Sequence, residues 1–147
     1  MSRKRENVRQ CKAIRQLIDD NKYTKALELI DAIPLEEVGS LDDLYRYAEL
    51  YEKAERMDKK KEIFYHIYHR THSRYMLNRL LRLTIRMGDM EEARELYFAY
   101  EVAGPITLDT FELRYLLAKA EGEPPERLIQ ILEELKKEEY TEEWGFR

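Results

Sequence analysis

Apolar residues recur along this chain at helical spacing, and the recurrence breaks at regular intervals. Leu77, Leu80, Leu81 and Thr84 fall at i, i+3, i+4 and i+7, one stripe of a helix that Gly88 ends. Asp89 can cap the next helix with Glu92 three residues on; Ala93, Leu96, Tyr97 and Tyr100 then repeat the spacing, and Gly104-Pro105 closes the segment. The stretch before it reads alike, with Ser40 and Asp43 as cap, Leu44, Tyr47, Ala48 and Tyr51 on one helix, and Ile63, Phe64 and Ile67 on a returning one. Another pair starts near Thr107 with Phe111, Tyr115 and Ala118, turns at Gly122-Glu123-Pro124-Pro125, and returns through Leu128, Ile131, Leu132 and Leu135. Proline is tolerated in that first turn. The first pair is weaker: Ala13, Ile14 and Leu17 precede a turn, Ala26, Leu27 and Ile30 follow it, and its outer face is polar, as a terminal cap's is.

The breaks are periodic. Asn21, Glu55, Gly88 and Gly122 each separate two apolar helical patterns, at spacings of 34, 33 and 34 residues. Two residues after them stand Tyr23, Met57, Met90 and Pro124, and nine after them Ile30, Phe64, Tyr97 and Ile131. Seven before the turn stand Ile14, Ala48, Leu81 and Tyr115, and four before it Leu17, Tyr51, Thr84 and Ala118. The pattern predicts one domain of four helical hairpins over about 8–38, 40–72, 73–105 and 107–139. Trp144 lies 33 residues after Phe111, so residues 140–147 read as the start of a fifth unit or a cap, with a longer natural chain the preferred expectation.

These residues resemble the tetratricopeptide family, whose units of about 34 residues carry a small residue in the second helix and a proline near the end. Gly88, Ala93, Tyr97 and Pro105 fall where that family places its turn glycine, small alanine, aromatic and closing proline, and Ala48, Tyr51 and Phe64 do likewise one unit earlier. The resemblance spans roughly residues 8–140, and the spacing fits pentatricopeptide and HEAT arrays less well. Lys60 and Arg127 depart from it, standing in the column of Ala26 and Ala93, which implies looser packing there or side chains that snorkel outward. The resemblance implies a right-handed α-solenoid whose first helices line a concave face that holds extended peptides or helices.

Composition supports an all-α fold, since only 5 glycines and 4 prolines accompany 38% charged residues. The 44% hydrophobic content, with 11 tyrosines, is too high for a chain kept disordered by charge. The single cysteine, Cys11, excludes an intramolecular disulfide and reads as a small apolar residue of the first helix. No apolar h-region follows Met1, and no run approaches the roughly 20 apolar residues that span a bilayer, so the expected location is cytoplasmic, without membrane contact.

Charge sharpens the functional reading. Residues 59–86 hold 8 basic side chains and 1 acidic one, whereas residues 87–147 hold 7 and 16, and the net charge is −4. Projected away from the apolar stripes, Lys12, Arg15, Tyr45, Glu49, Lys53, Tyr75, Asn78, Arg79, Arg82, Arg86, Glu112 and Lys119 face the expected groove. Arg79, Arg82 and Arg86 share one helix face and can fork-bind carboxylates or phosphates. The expected function is an adapter or scaffold binding an acidic peptide or helix of another protein. The alternatives are RNA binding through residues 59–86, where lysines, arginines and tyrosines interleave, and self-association through aromatics such as Tyr65 and Tyr68. A pI near 5.6 argues against a dedicated nucleic-acid binder.

His66, His69 and His72 recur every three residues, but a three-residue step turns a helix by 300°, so their rings drift apart and no metal site is expected. No nucleophile elbow, phosphate loop, metal-ligand spacing or isolated carboxylate pair is present, and Ser40 and Ser73 read as caps. Neither an enzyme nor a cofactor is expected.

Overall fold

The structure, a computed structural model, describes the backbone of residues 3–144 and the side chains of residues 5–138. The described residues form eight α-helices, one 3₁₀ turn and no strand. In chain order these are α1 (Arg3–Asp19), α2 (Tyr23–Ala32), the 3₁₀ turn Leu35–Glu37, α3 (Leu41–Lys53), α4 (Met57–Thr71), α5 (Arg74–Met87), α6 (Met90–Val102), α7 (Leu108–Ala120) and α8 (Pro125–Trp144). They pack chiefly as consecutive pairs: α1 on α2, α3 on α4, α5 on α6 and α7 on α8. Two compact units result, Met1–His72 and Ser73–Arg147. Among the described residues no helix is long and apolar enough to cross a membrane.

The periodic turn residues explain the pairing. Asn21 and Glu55 (both φ 59°), Gly88 (φ 81°) and Gly122 (φ 75°) all lie in the left-handed region that reverses a chain at a helix end. Each closes the same double hydrogen bond. The N–H groups of Asn21, Glu55, Gly88 and Gly122 donate to Ile18, Glu52, Ile85 and Lys119, and those of the next residues donate to Leu17, Tyr51, Thr84 and Ala118 at 2.8–3.3 Å. The column four residues before the turn is therefore the set of carbonyls the turn must satisfy. The caps agree, since Ser40, Ser73 and Asp89 accept from the amides of Asp43, Met76 and Glu92, and Thr107 forms a capping box with Thr110.

In the first unit α3 and α4 bury every stripe residue the periodicity selects: Leu44, Tyr47, Ala48 and Tyr51 against Ile63, Phe64 and Ile67. The first hairpin differs, because Cys11, Ile14, Ala26 and Ile30 are buried while Ala13 is exposed and Leu17 and Leu27 are half-buried. Helix α1 also starts at Arg3, ahead of the unit boundary expected near residue 8.

In the second unit α5 packs on both α6 and α7, and α6 also packs on α7. Leu77, Leu80, Leu81 and Thr84 are buried as expected, and the Thr84 hydroxyl donates to the Leu80 carbonyl at 2.7 Å. Helix α7 is turned in part from its expected face: Ala118 is buried as expected, but Thr110, Leu113 and Leu117 are buried with it and Phe111 and Tyr115 are half-buried. With Leu113, Leu116 and Leu117 also present, α7 is apolar around most of its circumference, and the capping box fixes Thr110 inward. Of the α8 stripe only Ile131 is fully buried, and Leu132 is exposed. That helix continues through residue 140 to Trp144, where a fifth unit or a cap was expected, and the Trp144 side chain lies outside the described residues.

Arginines clasp the interhelical segments of each unit. Arg70, near the end of α4, donates to the carbonyls of Leu35, Val38 and Gly39. Arg74, opening α5, donates to Tyr100 at 2.9 Å and Pro105 at 2.7 Å while its guanidinium lies 4.1 Å from the Tyr100 ring centre. A Cβ at Gly104 would stand 2.8 Å from Arg74 Nη1. Gly104→Ala should therefore displace a guanidinium that holds two carbonyls, lowering stability by about 1–2 kcal/mol in chemical denaturation.

Candidate functional site

Helix α5 sets the clearest surface in the second unit. Met76, Leu77, Asn78, Leu80, Leu81, Leu83 and Thr84 are buried, and the stripe on the other side follows exposed Tyr75 and Arg86 with half-buried Arg79 and Arg82 between them. Tyr75 is 65% exposed, and the Arg79 guanidinium lies 5.8 Å from the centre of its ring. Arg82 donates from Nε to Asn78 Oδ1 at 2.7 Å and from Nη1 to Glu112 Oε1 of α7 at 3.1 Å. Asn78, expected to face a groove, is instead buried on a helix that packs on both α6 and α7, and its amide oxygen positions Arg82. Lys119 is exposed in the last turn of α7.

The remaining predicted groove residues lie in the first unit. Arg15 makes a two-pronged ion pair with Asp43, at 2.9 and 3.1 Å, and that hydrogen bond raises the arginine pKa. Asp43 is buried, so the pair ties α1 to α3 and Arg15 is engaged within its own unit. Burial pushes the Tyr47 ionisation upward, with Cys11 beside it adding to the effect, and the Tyr47 hydroxyl has no hydrogen-bond partner among the described residues. Lys53 lies 5.2 Å from the Tyr23 ring centre, Lys12 and Glu49 are exposed, and Tyr45 is half-buried.

The basic run from residue 59 to 86 is not a continuous cationic strip. Lys59 pairs with Glu62 at 3.5 Å, Lys60 is buried with Nζ 2.9 Å from Glu52, and Arg70 and Arg74 are spent on backbone carbonyls. Lys60 thus fills the small-residue column without snorkelling freely, its ammonium also 5.3 Å from the Phe64 ring centre. The histidines join an aromatic run: Tyr65 stacks on His69 at 6.3 Å, and Tyr68 meets His69 and His72 edge-on. No group of three metal-ligating side chains gathers among the described residues.

One feature of the first unit escapes the periodicity. A cleft of about 350 Å³ opens between the C-terminal end of α2, the 3₁₀ turn and α4. Ile30, Ile33, Pro34, Ile63, Tyr65 and His69 are among the residues that line it. Asp31 accepts a hydrogen bond from Tyr51 and pairs with Arg56 at 3.0 Å, and the tyrosine bond is the main cause holding its carboxyl below the usual range. Burial, then the charge of Arg70, lowers the His66 pKa, which favours the neutral ring, and His66 Nε2 is buried without a hydrogen-bond partner among the described residues. Residues 59, 62, 63, 66 and 69 share one face of α4, which was visible in the sequence; their apposition to α2 was not.

A scan against protein-family models, a search of curated proteins and a search of solved structures each find no match. The chain is defined by its architecture: an all-helical protein of consecutive hairpins with a shared turn geometry.

Proposed function

We propose that this chain is a tetratricopeptide-like interaction module, a right-handed helical solenoid acting as a cytoplasmic adapter that binds an acidic peptide or helix of another protein. The observation that carries the reading is the α5 surface: a helix buried around most of its circumference carries one stripe of a tyrosine and three arginines that reaches solvent at Tyr75 and Arg86 and is half-buried at Arg79 and Arg82. Arginine forks suit carboxylates, and an aromatic at the stripe's edge supplies contact area at low entropic cost. The Arg82–Glu112 pair supports it further, because a carboxylate already occupies one fork and an incoming acidic side chain would take its place. RNA is the weaker reading, since several of the basic residues that suggested it are committed to internal partners.

Selection from a displayed peptide library tests this. Wild-type protein should enrich sequences with clustered Asp and Glu, and Arg79→Glu, Arg82→Glu and Arg86→Glu together should lower the affinity of enriched peptides by at least about tenfold. Glu112→Ala should act in the opposite direction, tightening binding about two- to fivefold by releasing Arg82 from an exposed pair. Unchanged enrichment by the triple variant would move the binding function off α5.

A further inference from the structure

Helix α6 presents an outer face that the α5 reading leaves unused. Its buried side is Ala93, Leu96 and Tyr100. On the opposite side Glu91, Glu95, Phe98 and Val102 fall at i, i+4, i+7 and i+11, which is the spacing of a helix-to-helix seam. All four are exposed, and Phe98 and Val102, one turn apart, are 69% and 68% open to solvent. Two large apolar side chains bordered by acids on an otherwise packed helix mark a contact surface. The α5 stripe has the same spacing, since Tyr75, Arg79, Arg82 and Arg86 also fall at i, i+4, i+7 and i+11. Laid antiparallel, the two stripes match at every position over about 16 Å of helix. Tyr75 then meets Val102, Arg79 the Phe98 ring, Arg82 the Glu95 carboxylate and Arg86 that of Glu91. The four meetings are an apolar contact, a guanidinium on an aromatic face and two charge-assisted forks. A parallel arrangement is poorer, because it sets Tyr75 against Glu91 and Arg86 against Val102.

We propose that the chain associates with itself, the α5 stripe of one copy receiving the α6 stripe of a second copy in antiparallel register. The inference rests on the reading that α5 binds an acidic helix, and it names that helix. Both stripes belong to the same compact unit, so every copy carries both halves of the contact. Within one copy Arg82 is held by Glu112, an exposed pair worth little in water. On association Glu95 of the second copy takes that fork, and Phe98 and Val102 leave solvent, which supplies the apolar part of the driving force. A charged peptide without the apolar pair would satisfy the arginines and leave Tyr75 uncovered.

Sedimentation velocity of the full chain tests this. Between about 1 and about 300 µM the weight-average sedimentation coefficient should rise with wild-type concentration, and rise less in about 0.5 M salt, which screens the Arg–Glu pairs. Reversing either half, by Arg82→Glu with Arg86→Glu or by Glu91→Arg with Glu95→Arg, should weaken association at least about tenfold. An equimolar mixture of the two variants should recover to within about threefold of the wild type, because each reversed stripe then faces its complement. Phe98→Ser changes one exposed side chain and no charge, so it should weaken association about fivefold with an unaltered circular dichroism spectrum. It decides the question even where a charge reversal perturbs folding. A wild type that stays monomeric, association indifferent to Phe98→Ser, or a mixture of well-folded variants no better than its components would each overturn the proposal. A monomeric wild type that still enriches acidic peptides removes the second copy and leaves the α5 reading standing, whereas a monomer without enrichment removes both.

Discussion

Replacing Leu80 by alanine should cost about 3–5 kcal/mol of stability, among the largest effects available from a single side chain in this protein. Leu80 is completely buried on α5, the one helix of its unit that packs on both α6 and α7, so the surrounding helices cannot all collapse onto the vacated space. A domain of this size is stable by only about 5–15 kcal/mol, so the loss is a large share of the total. Because the chain divides into two compact units, the damage should be local. Amide hydrogen exchange through unfolding of the unit should speed up by roughly two to four orders of magnitude in α5–α7, while α3 and α4 keep most of their protection. Equal loss in both halves would mean that the chain unfolds as one cooperative block.

The second large effect concerns a charge where the repeat expects alanine. Ala26 and Ala93 are completely buried in that column, and Lys60 is only 7% exposed. Its ammonium is held by Glu52, whose side chain remains 42% exposed. Removing the acid should therefore hurt more than removing the base. Glu52→Ala strands a nearly buried cation and should cost about 2–3 kcal/mol, somewhat less than for a fully buried pair because water reaches the vacated place. Lys60→Met keeps the volume and removes the desolvated charge, so its stability should lie within about 1 kcal/mol of the wild type. The double variant should lie closer to Lys60→Met than to Glu52→Ala. Urea denaturation of the four proteins measures this directly, and a Lys60→Met loss as large as that of Glu52→Ala would show that the ion pair itself stabilises the hairpin.

The parts of this architecture that were legible in the sequence are those fixed by local chemistry. Turn residues recur because each helix end needs a left-handed residue to satisfy the same two carbonyls; glycine marks two of the four, and spacing alone identifies Asn21 and Glu55. The stripes of α3 and α5 were readable because polar residues bound them sharply. Helix α7 was not, since apolar residues ring it and periodicity selects no single face. The candidate surfaces were half-legible for a different reason. The α5 arginines are visible as a stripe, but the partners that orient or occupy functional groups come from distant segments: Asp43 for Arg15 at 28 residues, Glu112 for Arg82 at 30. Buried Asn78 and the cleft beside His66 follow from how neighbouring helices meet, which a one-dimensional pattern does not carry.

The two arginine clasps also say where this polypeptide can be engineered. His72 ends α4 in a left-handed conformation, and Ser73 caps α5. Arg70 secures the segment before α3, and Arg74 secures the segment after α6, each within its own half of the chain. A peptide bond broken, or a flexible spacer inserted, between residues 72 and 73 leaves all of those bonds with the half that needs them. The boundary is thus the place at which the chain can be cut without severing either clasp.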